Sequence, residues 1–396
     1  MEIEQCFGCD DKNLYDPTKD LITHLQTSSC NKYLFTGDAS GRVVVFSKKK
    51  VNNNQLWQPI YQYTGIEPHI DYLTNASTDN KITGFIPLQY NDNNMQTIVS
   101  DTKNIYIHKL LNKKKKFNSN RVPFRIKHKT KIETKHKFVN GHRFYIHSIA
   151  LSKSFQHILS ADDLSINIWD INRPEKALPI IDTTPNDLST LNSTITKMKI
   201  SNTHENIVYT SSSNGILSTF DTRIMCTVDT PVKIMYSSKM VSYDSVEHIT
   251  SDIFTHKNSR EHLKYISDFD ISPQSDYIVA RSPLFINIWD LRNTLNPCHS
   301  FPVHKKIYSF IKTNQEIAFE PFEVKYSNDN KYIYSGSFNN IICIDTQTLG
   351  ISYMHDPQLR EIGLDTPRVS RILPGGDNYN IFSAFNGVLN IHKSKI

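Results

Sequence analysis

Asp162 and Asp163 are adjacent acids, and a carboxylate pair can work as general acid and base or hold a cation. Either role needs a His or a further acid fixed beside the pair, and the sequence places none there. Adjacent acids in a turn point in different directions. The expectation is therefore one acid capping its own turn and the other facing a partner. Cys6-x-x-Cys9 is half of a zinc spacing, with no second pair at a suitable distance. His142 and His147 flank a short strand and are expected to support blade hydrogen bonding, not to bind metal. No GxGxxG, phosphate loop, GxSxG or HExxH occurs. The expectation is a chain without catalysis, cofactor or metal.

The elements that carry these residues come from repetition. The chain has 396 residues, 38% hydrophobic and 11% aromatic, which is too apolar for wholesale disorder. No run approaches the roughly 18 apolar residues of a membrane span. The first residues lack the basic-then-apolar order of a signal peptide. Six scattered cysteines fit a reducing compartment better than a disulfide framework. A secreted or integral membrane protein is not expected.

One pattern recurs seven times: an apolar run, a small residue, a polar turn, and an alternating strand. It reads LFTGDASGRVVVF at Leu34–Phe46, ILSADDLSINIWD at Ile158–Asp170 and IVARSPLFINIWD at Ile278–Asp290, with further copies from Ile98, Val208, Ile333 and Ile381. A shorter strand precedes each copy. The alternation has period two, with Gly, Asn, Asp and Ser between strands, as antiparallel sheet requires. Two copies end in Trp-Asp, at Trp169-Asp170 and Trp289-Asp290. A strand triple with a more variable fourth strand is the WD40 pattern. The predicted fold is all-β, a seven-bladed WD40 propeller spanning 1–396 as one domain. If the strands of a blade are a to d and run antiparallel, the b–c turns and d–a connections share one face. The a–b and c–d connections share the other. Trp169 and Trp289 are expected to pack between sheets.

Where a c–d connection is due in the second blade, Lys113–Lys137 holds eleven Lys/Arg and one acid, a net of +10. The whole chain is +6, so the remainder is +6 − 10 = −4. Val122, Phe124 and Ile126 alternate with Arg121, Arg125 and Lys127, the pattern of a protruding hairpin. The stretch reads as an arm that docks on an acidic protein, with a solvated loop or a patch for phosphate-rich partners as the other readings.

Ile158–Asp170 is more specific than a generic repeat. It resembles the third blade of the WD40-type (55 kDa) regulatory B subunits of protein phosphatase 2A. RVPFR at Arg121–Arg125, GHRFYIHSIALS at Gly141–Ser152, YTSSSNGILSTFDTR at Tyr209–Arg223, ISDFDISPQSDYIVAR at Ile266–Arg281 and FPVH at Phe301–His304 agree in the same order. The resemblance runs from about Ile22 to Ile391. It implies a non-catalytic subunit that binds the scaffold (A) and catalytic (C) subunits and recruits phosphoprotein substrates. It implies a scaffold-docking arm at 110–140, with Arg121, Val122, Pro123, Phe124 and Arg125 within it. It implies an acidic substrate groove on the opposite face, centred on Asp163 with Phe144, Asp79, Glu316 and Phe319.

The chain departs from the family in places. An acidic cluster is thinned to Ser77, Asp79 and Asn80. Phe144 replaces an aromatic hydroxyl, Pro321 a basic residue, and Ser282-Pro283 an Asp-Tyr pair. These bear on substrate choice more than on fold. Cytoplasm is the expected compartment, and the resemblance adds the nucleus. A WD40 adaptor that binds RNA or an acidic surface through the lysine arm is the alternative, although nucleic acid is not the expected partner.

Overall fold

Seven sheets, each of four or five antiparallel-ordered strands, follow one another around a ring, beside one two-stranded hairpin. The structure, a computed structural model, describes residues 2–8, 20–51, 54–66, 70–71, 76–77, 80–91, 94–111, 130–185, 187, 189, 191, 193–224, 226–227, 233–236, 264–294, 296–303, 319–338, 340–355, 369–375, 380–385 and 387–393. Blade 1 comprises Ile22–Thr27, Tyr33–Asp38, Arg42–Val51 and Asn54–Thr64 as strands a to d. Blade 2 comprises Gly84–Asn91, Asn94–Ser100, Ile105–Leu110 and Ile132–Phe138. Blade 3 comprises Ser148–Leu151, His157–Ala161, Ser165–Asp170 and Arg173–Asp182, with Cys226–Thr227 added in parallel at its outer edge. Blades 4, 5 and 6 begin at Ile195–Ile200, Asp268–Ile271 and Val324–Tyr326.

Each predicted copy is the b–c hairpin of one blade, and the short strand before it is strand a. The core lies between blades. Alternate side chains of each sheet leave water against the neighbouring sheet, as in the cluster that joins Val279, Ile286 and Phe301 of blade 5 to Phe322, Val324 and Ile342 of blade 6. Trp169 and Trp289 are 1% and 0% exposed, so both pack between sheets.

Blade 7 closes the ring. Its first three strands are Val369–Pro374, Asn380–Phe385 and Val388–Lys393, and its outermost strand is Glu2–Phe7 from the start of the sequence. Gln5 also clasps the backbone of Trp57 in blade 1: Trp57 N donates to Gln5 Oε1 at 2.7 Å and Gln5 Nε2 donates to the Trp57 carbonyl at 3.1 Å.

The face assignment follows from hydrogen bonds. In blade after blade, the d–a connection bonds to the b–c turn: Gly65 N to Gly41 O, Ile146 N to Thr102 O, Ile195 N to Asp163 O, Val303 N to Leu284 O and Val369 N to Ser337 O. These segments form one face of the ring, called the first face below. The ends of strands c and d of blade 2, where Leu111 N donates to the Lys131 carbonyl, lie on the other. Strand d there is Ile132–Phe138, paired with Ile105–Leu110. Ile132–Lys137 therefore belongs to the blade, and the insertion is shorter than Lys113–Lys137. Residues 112–129, with Arg121–Arg125, lie outside the described residues.

Candidate functional site on the first face

Asp162 and Asp163 divide the two expected roles. Asp162 is 1% exposed. Its Oδ1 accepts from Leu164 N at 2.9 Å and Ser165 N at 2.5 Å, and its Oδ2 accepts from Ser165 Oγ at 3.0 Å. This ties the b–c turn of blade 3. His142 then relays the carboxylate inward: Nδ1 lies 3.0 Å from Asp162 Oδ2, and Nε2 lies 2.5 Å from Ser160 Oγ. Ser160 Oγ also accepts from Trp169 Nε1 at 2.7 Å, and Asn167 Nδ2 donates to Gly141 O at 2.6 Å. Burial pushes the Asp162 carboxyl up. The hydrogen bonds from His142, Leu164 and Ser165 outweigh that and hold it far below the usual carboxylate range. Gly141 completes the arrangement: a Cβ there would run into the Trp169 ring. Asp162 is thus a structural anchor, and His142 serves the blade hydrogen bonding expected of it.

Asp163 is half-buried on the first face, and no described residue donates a hydrogen bond to its carboxylate. Burial raises its pKa, the Asp162 charge raises it further, and Lys103 partly offsets them. Lys103 is held by the Arg143 carbonyl at 2.7 Å and sits 5.2 Å from the exposed Tyr145 ring. Basic Lys103 and Arg143 therefore stand on the same side of blade 3 as Asp163.

Two further predicted groove residues fall in this region. Phe144, on the d–a connection into blade 3, lines a cavity of about 230 Å³ with Arg143, Leu164, Asn167, Asp182 and Thr184. Phe319, on the connection into blade 6, is 43% exposed. Its ring meets Tyr265 edge-on with centroids 5.3 Å apart. Burial raises the Tyr265 phenol, and the Asp163 charge raises it further. Tyr265 thus stands between the Asp163 charge and the Phe319 ring. Sequence reasoning passed over it, although a signal existed: Tyr265-Ile266 and Tyr145-Ile146 both lead into a strand a. Asp79 and Glu316 lie outside the described residues. Among the described residues no group of three or more His, Cys, Asp or Glu could hold a metal ion.

Comparison with known proteins accords with this geometry. The WD domain, G-beta repeat family matches residues 133–170, the stretch that runs from strand d of blade 2 through strand c of blade 3. The regulatory B subunit of protein phosphatase PP2A from Schizosaccharomyces pombe is 26% identical over 363 residues, covering 85% of this chain and 75% of the relative. The 55 kDa regulatory subunit of protein phosphatase PP2A from Drosophila melanogaster is 26% identical over 348 residues, covering 81% and 67%. The Caenorhabditis elegans serine/threonine-protein phosphatase 2A regulatory subunit sur-6 is 25% identical over 352 residues, covering 81% and 68%. The chain is a homologue of the 55 kDa-type regulatory B subunits, with a WD40 repeat and a seven-bladed propeller.

Proposed function

We propose that the chain is a non-catalytic regulatory and targeting subunit of a serine/threonine phosphatase 2A holoenzyme, working in the cytoplasm and nucleus. It joins the scaffold (A) and catalytic (C) subunits through the insertion between strands c and d of blade 2, with Arg121–Arg125 as the docking segment. It presents phosphoprotein substrates on the opposite, first face around Asp163, Phe144 and Phe319, with Asp79 and Glu316 in the same groove. The observation that carries this reading is a likeness to regulatory B subunits that spans 81–86% of the chain and not one repeat alone. A basic stretch and a substrate groove on opposite faces let one propeller grip the holoenzyme and hold a substrate at once.

The test is a pull-down in which the intact chain and a variant lacking residues 113–129 are each asked to capture the scaffold subunit. That deletion spares strand d of blade 2, so the propeller can still close. Capture that depends on the insertion is the expected result. Capture by neither folded form would favour the adaptor reading, and a nucleic-acid titration with a steep salt slope would then support it. Asp163→Lys is expected to leave scaffold capture unchanged and to weaken phosphosubstrate capture by tenfold or more. Loss of scaffold capture in that variant would overturn the assignment of the two faces.

A further inference from the structure

The innermost strands of blades 1, 4 and 7 share a triplet of apolar, hydroxyl and basic residues: Ile22-Thr23-His24, Ile195-Thr196-Lys197 and Val369-Ser370-Arg371. In all three the strand register slips at the hydroxyl residue, between Ile22 and His24, Ile195 and Lys197, and Val369 and Arg371. A β-bulge re-aims the side chain that follows it. Here the same device recurs in three blades, each time just before a basic residue, at the first-face end of the inner strand. Innermost strands line the central channel of a propeller, so the three residues occupy the same level of its wall, and the His24 ring feels both Arg371 and Lys197. His24 is kept neutral by burial and then by the charges of Arg371, Lys197, Lys325 and Lys81.

The carboxylates nearby are already engaged. Asp268 accepts from Val324 N and lies 3.9 Å from Lys325 Nζ. Asp270 accepts from Lys199 Nζ at 2.7 Å and Tyr326 N at 2.8 Å. Glu323 accepts from Arg371 Nη1 at 3.3 Å and Ile372 N at 3.2 Å. Those three acids face four basic side chains: Lys199, Lys325, Arg371 and Lys197. Lys197 is the one with no described carboxylate within ion-pair reach, and its ammonium has only the His147 carbonyl, at 3.4 Å. Arg371 is 8% exposed, and among the described residues its Nε has no acceptor and His147 Nε2 has no partner. Burial first, and then Arg371, bring the Lys197 pKa down to about 8, although Asp268 and Glu323 pull the other way. The axis holds more buried cationic and donor capacity than its own acids satisfy.

We propose that the first-face mouth of the axial channel is an oxyanion site, built by Lys197, Arg371 and His24, that takes a phosphate group. The phosphate belongs either to a free phosphate compound or to a phosphorylated side chain. The site uses none of Asp163, Phe144 and Phe319 and does not depend on the phosphatase reading.

The probe is inorganic phosphate, titrated into the purified full chain at constant ionic strength set with chloride, with calorimetric heat and thermal midpoint as readouts. Saturable heat and a rising midpoint are expected. Lys197→Met should weaken binding at least tenfold, while Lys197→Arg, which keeps the charge, should retain it. Circular dichroism without phosphate establishes that both variants are folded. If Lys197→Met does not fold, loss of binding in His24→Leu serves the same purpose. Equal affinity in wild type and the folded charge-removing variant, or no saturable heat at all, would overturn the site. A phosphoserine peptide that displaces phosphate, where its unphosphorylated form does not, assigns the site to a phosphorylated chain. Retention of phosphate against both peptides assigns it to a free phosphate compound.

Discussion

Blades 3 and 5 carry the same inner sequence, Ile-Asn-Ile-Trp-Asp, at Ile166–Asp170 and Ile286–Asp290, and bury its tryptophan equally well. Their polar interiors differ. In blade 3 the indole N–H reaches Ser160, and Ser160, His142 and Asp162 form a chain that ends on the b–c turn. In blade 5 Ala280 stands where Ser160 does, and Trp289 Nε1 has no acceptor. Ser282 stands where Asp162 does and holds its turn by a weaker hydroxyl contact, with Phe285 N donating at 3.2 Å. The b-strand residue just before that turn is small in the other six blades: Gly37, Ser100, Ala161, Ser211, Gly336 and Ala384. The reason is visible at Gly336, where a Cβ would run into the Val369 carbonyl of the next blade. Blade 5 has Arg281 there, 0% exposed, with its guanidinium 5.5 Å from the Phe322 ring; Nη1 donates to the Ser282 carbonyl at 2.8 Å, and Nε and Nη2 have no partner among the described residues. Burial pulls its pKa well below the ordinary arginine value.

The shared apolar pattern is therefore enough to build a blade, and the buried polar chain is an addition that one blade has and the other lacks. The repeat-family match at 133–170 falls on the blade that has it.

The comparison can be broken most forcefully at Asp162. Asp162→Ala leaves two backbone N–H groups and His142 without their acceptor inside the protein, and should lower unfolding stability by about 3 kcal/mol or more. Urea denaturation reads this. A loss under about 1 kcal/mol would mean the chain of hydrogen bonds adds little beyond apolar packing. The same carboxylate carries a pH signature. Its pKa is depressed in the fold, so its contribution is fully present above the ordinary carboxylate value of about 4 and fades as pH falls below that. Asp162→Asn should remove that dependence, so the stability gap between it and the wild type narrows in acid.

Arg281→Met works in the opposite direction. It removes a buried charge that has no described carboxylate partner and keeps much of the volume, so it should stabilise the protein by about 1–3 kcal/mol, even after losing the ring contact with Phe322 and the hydrogen bond to the Ser282 carbonyl. A destabilised Arg281→Met would show that the guanidinium has an anionic partner in the folded protein. The smallest change is Ala280→Ser, which offers Trp289 the acceptor that Trp169 already has. It should add about 1 kcal/mol, readable as a small upward shift in the melting midpoint, and a downward shift would mean that the hydroxyl is overpacked.

These differences explain what the sequence could and could not reveal. The b–c hairpins are legible because each is a local, period-two pattern bounded by turn residues, and seven of them suffice to count blades. Strand d is less legible. Ile132–Phe138 is polar from Glu133 to Lys137 because an outer strand is half in water, so it reads as part of the charged insertion beside it. Glu2–Phe7 is legible only through its pairing with Val388–Lys393, which no local pattern announces. At the site, Asp162 and Asp163 differ in role because one turn folds its backbone around the first acid, and adjacency alone cannot say which. Tyr265 escapes because its importance comes from Phe319, 54 positions on (319 − 265), across a blade boundary.

Glu2–Phe7 and Val388–Lys393 also set a clock. A ribosome adds roughly 5–20 residues per second, so Glu2–Phe7 waits on the order of 20–80 s for the strand that receives it. During that interval blade 1 already exists in sequence, while Trp57 lacks the Phe382 ring that lies edge-on to it at 5.3 Å in the finished protein. The newborn chain thus carries one unpaired strand and one open blade face until Val388–Lys393 has been made. Chaperone dependence in vivo is expected to concentrate in that window.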